Sequence, residues 1–101
     1  MRWTKERSND VGYVYFVNIN GLVKIGRTNN PKRRMKEHKA DKSKVIMIFK
    51  IEKYKSFERY CQSWFRRYRI KGEFFRIPHK ELLEFFRLFE DYSLEIEREF
   101  D

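Results

Sequence analysis

The sequence predicts an α/β domain: a small, mainly antiparallel three-stranded sheet flanked by helices. Three observations carry that expectation. Two runs of β-branched and aromatic residues stand on either side of Asn20-Gly21, and a third run follows at 45–51. Between and after them lie three stretches with helix-start residues or apolar residues at spacings of three and four. A chain of 101 residues has room for one core only, and 41% hydrophobic with 18% aromatic residues means that much of this core is Phe, Tyr and Trp.

Residues 1–11 mix charge with Ser8, Asn9 and Asp10 without a period and read as a flexible lead-in, with Trp3 able to fold back. A single domain then spans 12–90, and 91–101 forms an acidic extension. Tyr13-Val14-Tyr15-Phe16-Val17 and Leu22-Val23-Lys24-Ile25 are the strands of a hairpin, because Asn-Gly suits a turn with positive φ at both central positions. A two-residue turn pairs Ile19 with Leu22, Val17 with Lys24 and Tyr15 with Gly26. Asn30-Pro31 supplies a helix cap followed by proline at the first helical position, opening a helix near 31–40. The run 45–51 reads as a central strand buried on both faces. Ser56 caps a helix near 56–71 in which Phe57, Cys61, Trp64 and Tyr68 form an apolar stripe that Gly72 ends. Pro78 opens the last helix, near 78–90, with Leu82, Phe85, Phe86 and Phe89 facing the core.

Charge narrows the partners. Lys and Arg number 24 against 15 Asp and Glu, a net +9. Residues 91–101 hold five acids and Arg98, which leaves 23 bases against 10 acids, a net +13, on residues 1–90. Such a surface seeks a polyanion, nucleic acid ahead of an anionic membrane. The single cysteine excludes an internal disulfide, and Cys61 with His38 and His79 falls short of a structural zinc site. No stretch approaches the ~20 apolar residues of a membrane span and no signal-peptide run precedes the domain, so an intracellular location is expected, cytoplasmic or, in a eukaryote, nuclear.

Several side chains are chemically placed. The hairpin register puts Tyr13, Tyr15, Lys24 and Gly26 on one sheet face, with an opening at Gly26 where a ligand approaches the backbone; ordinary strand tyrosines and a solvated lysine are the plain alternative. Lys32, Arg33, Arg34 and Lys36 crowd the start of the first helix, where the dipole disfavours cations unless an anion binds. Arg34 and His38, four apart, reach a common ligand. Glu58 in the first turn of the second helix is either a carboxylate favoured by the dipole or a ligand for a hard divalent cation, and magnesium needs only one or two protein carboxylates. Gln62 follows one turn later. Cys61 and the aromatic run of Phe74, Phe75, Phe85, Phe86 and Phe89 read as core.

In chain order, Gly12-Tyr13-Val14-Tyr15, Lys24-Ile25-Gly26 followed by Arg27-Thr28, Arg34 with His38, Glu58, and Gly72-Glu73-Phe74-Phe75 resemble the GIY-YIG endonuclease superfamily, in particular its short phage- and virus-borne branch. The resemblance implies a metal-dependent endonuclease acting on DNA, with RNA as a further candidate. It implies Tyr15 as general base, directly or through its neighbours, Arg34 on the scissile phosphate and Glu58 on one Mg²⁺ or Mn²⁺. Lys24 stands where the superfamily carries a second tyrosine, and Tyr13 where it usually carries glycine. Lys24 is counted with the catalytic residues, as a cation that lowers the phenol's pKa or as the base itself. Tyr13, Arg27, Lys32, Arg33, Lys36 and His38 form the nucleic-acid surface. So small a domain leaves target choice to a homodimer or a targeting partner protein. The alternative from another class is a nucleic-acid-binding module that has lost catalysis.

Overall fold

The computed structural model describes residues 10–33 and 44–92 of the chain. Its frame is a sheet of β1 (Val11–Ile19), β2 (Leu22–Thr28), β3 (Val45–Glu52), β4 (Arg69–Lys71) and β5 (Phe74–Phe75), in the order β3-β1-β2-β5-β4 with every pairing antiparallel. Among the described residues two α-helices, α1 (Tyr54–Trp64) and α2 (His79–Leu88), complete the α/β fold. Residues 31–33 are helical where the described segment pauses.

The hairpin forms as its turn chemistry dictates. Asn20 and Gly21 take φ of 53° and 84°, both positive as a type I′ turn requires, and the Gly21 N–H donates to Asn18 Oδ1 at 3.0 Å. The register pairs Ile19 with Leu22, Val17 with Lys24 and Tyr15 with Gly26. Asn30 caps the helical start, its Oδ1 accepting the Arg33 N–H at 3.1 Å.

The alternation of strands divides the core in two. Val14, Phe16, Ile25, Phe49 and Ile51 meet Phe57, Cys61, Phe65 and the α2 residues Leu82, Phe85 and Phe86 in one cluster. Its rings pack edge to face, Phe16 on Phe86 at 5.0 Å and 86°, Phe57 on Phe89 at 5.1 Å and 68°, the geometry that the ring quadrupole favours. On the opposite face Tyr15, Val17, Val45 and Ile48 form a second, smaller cluster.

Four expectations are corrected. The sheet has five strands, not three, because Arg69–Lys71 and Phe74–Phe75 join the free edge of β2 through a turn at Gly72, whose φ is 56°. β3 is an edge strand pairing only with β1 among the described residues, so its apolar run reflects burial on both faces rather than a central place. The second helix starts at Tyr54, with Lys53 as a left-handed cap residue lacking a side-chain bond, and stops at Trp64, so Ser56 is not its cap and Gly72 not its end. Trp64 is accordingly 47% exposed, and Tyr68 lies in a separate 3-10 turn, Arg66–Tyr68. The last helix runs over His79–Leu88 with Pro78 as its cap residue, and a 3-10 turn, Glu90–Tyr92, follows.

Candidate active site

The site gathers where β2 runs past α1. Glu58 faces β2 from the second turn of the helix rather than the first, so dipole stabilisation does not account for it. Only 6% exposed, it accepts a hydrogen bond at 3.1 Å from Arg27 Nη1, an ion pair across 31 residues of sequence. Burial pushes its carboxyl above the usual range; Arg27 pulls it down, and the negative charge of Glu73 pushes it up again. One turn on, Gln62 donates from Nε2 to the Ile25 carbonyl at 3.1 Å and accepts from Arg69 Nη2 at 3.2 Å, locking helix to strand.

Arg27 also lines a cavity of about 300 Å³ with Thr28, Asn29, Arg33 and Tyr54. The Thr28 hydroxyl accepts the Asn30 N–H at 3.0 Å and donates to the Asn30 carbonyl at 3.1 Å, which fixes the loop between β2 and the helical start. Two guanidiniums, a hydroxyl, an amide and a phenol are a lining that suits a phosphate.

Tyr15 and Gly26 face each other as the register requires, but the expected opening is filled. The Tyr15 ring lies across Gly26 so closely that a Cβ there would overlap its hydroxyl, and Tyr15 is only 1% exposed. Gly12 meets the Tyr54 ring in the same manner. Tyr13 is half-buried on the same face as Tyr15. Lys24 is not a solvated strand residue: it is 7% exposed, its Nζ lies 3.7 Å from Glu73 Oε2 and 5.8 Å from the Phe74 ring centre.

The structure thus brings together Arg27, Arg33 and Glu58 at one end of β2, and Lys24 with Glu73 further along it. Lys32 is exposed beside Arg33. Arg34, Lys36 and His38 lie outside the described residues. Cys61 is fully buried in the core, which holds its thiol well above the usual range. Sequence reasoning gave no role to Glu73, although Gly72-Glu73 marked the turn that carries it, nor to Tyr54, whose place follows from packing on Gly12 alone. Among the described residues no three His, Cys, Asp or Glu side chains gather as a metal set, and no helix is long and apolar enough to cross a membrane.

A family model described as the T5orf172 domain matches residues 12–90. No curated protein and no solved structure matches significantly.

Proposed function

The chain belongs to the T5orf172 domain family, and from that premise we propose that it is a metal-dependent endonuclease hydrolysing phosphodiester bonds in DNA. The observation that carries this reading is the Arg27–Glu58 pair, a buried carboxylate coupled to a guanidinium that lines a cavity of about 300 Å³. The domain type is compatible with a nuclease-like or DNA-binding role. The order of Gly12-Tyr13-Val14-Tyr15, Lys24-Ile25-Gly26 and Glu58 supports a GIY-YIG kind of nuclease.

The donor chemistry fits one small divalent ion. Glu58 meets Arg27 through Oε1, and the Glu73 carboxylate is near enough to raise the Glu58 pKa, so hard oxygen donors are at hand. Glu58 would hold Mg²⁺ or Mn²⁺, which would supply Lewis-acid stabilisation of the departing oxygen. Arg27 and Arg33 grip the phosphate, the role that the resemblance gives to Arg34. Tyr15 is enclosed on the sheet face opposite the one that meets α1, so as general base it would take the proton of the attacking water only through its neighbours. A phenol with the ordinary pKa of ~10 is a weak base at neutral pH, so this role requires a nearby cation, and Lys24 lies diagonal to Tyr15 in the hairpin. Glu73 holds that ammonium in place.

A second reading, a nucleic-acid-binding module without catalysis, is favoured by the burial of Tyr15 and by the engagement of Glu58 Oε1 with Arg27. Incubation of the full chain with supercoiled plasmid separates the two. Nicking in Mg²⁺ or Mn²⁺ that EDTA abolishes supports the nuclease; retention of plasmid in a binding assay without nicking in any metal supports the module.

A further inference from the structure

A second cavity, of about 440 Å³, opens at the far end of α1, lined by Tyr60, Ser63, Trp64, Arg66 and Arg67 and sharing no residue with the first. Its volume falls within the ~300–1,000 Å³ of small-ligand sites. Trp64 is backed by Phe85 at 5.2 Å and Tyr60 at 6.0 Å, so its indole is held in place, yet it remains 47% exposed. Both arginines are exposed, and the Arg67 guanidinium lies over the Tyr68 ring at 5.6 Å, which restricts its orientation. From 59 to 71 the chain carries five bases, Arg59, Arg66, Arg67, Arg69 and Lys71, and no acid. Glu81 of α2 faces this turn but takes a hydrogen bond from the Tyr68 hydroxyl.

We propose that this cavity binds an unpaired nucleotide of a nucleic-acid strand, its base stacked on Trp64 and its phosphate held by Arg66 and Arg67. The charge selects a polyanion, and the aromatic face selects an unstacked base, because in a duplex both faces of each base are already covered. The ten-residue separation of Tyr54 and Trp64 on one helix, at ~1.5 Å per residue, sets this site roughly 15 Å from the first cavity's Tyr54 wall. The inference rests on the nucleic-acid reading of the chain and adds a preference for single-stranded or frayed substrate.

The chain has two tryptophans, so in a Trp3→Phe background Trp64 is the only indole reporter. The probe is a short oligothymidylate in EDTA, with a duplex of equal length and inorganic phosphate for comparison. The expected result is saturable quenching of Trp64 by the single strand, weaker quenching by the duplex and none by phosphate. Arg66→Ala and Arg67→Ala, at exposed positions that leave the core intact, should each lower the salt slope by about 1. Trp64→Ala should weaken single-strand binding about tenfold, and Trp64→Phe should restore most of it. Single-strand binding that leaves Trp64 fluorescence unchanged and is indifferent to both arginine substitutions overturns this site while sparing the nucleic-acid reading. An absence of binding to either strand form overturns both.

Discussion

Glu58 sits where burial opposes its charge, and the sign of that conflict is measurable. Its folded carboxyl holds a proton more tightly than the unfolded one. The stability linked to that proton is present below the ordinary carboxylate range of ~4.3 and is lost as pH rises through the raised folded value. Glu58→Gln, a mimic of the protonated form, should therefore be as stable as the wild type in acid. At pH 7 it should be more stable, with a higher Tm. The half-solvated Arg27 limits the loss from the broken ion pair. Thermal melts at both pH values check this, and a variant less stable at pH 7 makes Glu58 a structural partner of Arg27. Gly26 offers a second test: Ala there would drive a Cβ into the Tyr15 hydroxyl, so Gly26→Ala should cost about 1–3 kcal/mol in denaturant titration. The pairing of these two positions was legible in the sequence because Asn-Gly fixes the register. That the ring fills the gap was not, since register says which residues oppose and not which rotamer closes over the glycine.

At the scale of elements, β2 receives partners that sequence distance conceals. β4 and β5 are three and two residues long, every residue of β4 is exposed, and neither carries a strand pattern of its own; they exist because the edge of β2 needs its backbone groups paired. The apolar period through Trp64 and Tyr68 read as one helix across a break that the backbone makes at Phe65, φ −99° and ψ 16°. The Lys24–Glu73 pair now ties the late turn to the hairpin. Glu73→Gln, which leaves a buried ammonium short of its carboxylate, should cost about 1–2 kcal/mol. Lys24→Met, which replaces the charge with an apolar chain of similar length, should fold as stably as the wild type. If Lys24 supports the Tyr15 phenolate, Lys24→Arg keeps substantial nicking and Lys24→Met loses it at unchanged Tm. Near-wild-type nicking by Lys24→Met reduces the residue to a strut between β2 and β5.

Over the whole molecule, the net +9 and the arginine-lined cavities suit the polyanion that the proposed function requires. Binding to DNA should weaken with salt by about −0.9 in log–log slope per phosphate neutralised. Lys32→Ala, at an exposed position, should lower that slope by about 1 while sparing the rate of any cleavage. An effect of Lys32→Ala on rate at saturating DNA would place it in the site itself. The composition foretold the charged surface and the aromatic core. The meeting of Arg27 with Glu58 depended on how α1 docks on the sheet, which no local pattern encodes. The account stands or falls on that carboxylate. The most direct test compares wild type and Glu58→Gln in parallel, by plasmid nicking in Mn²⁺ and by DNA binding in EDTA. Loss of nicking with affinity equal or slightly higher, as removal of a negative charge from a polyanion-binding face predicts, bears the account out; full nicking by Glu58→Gln contradicts it.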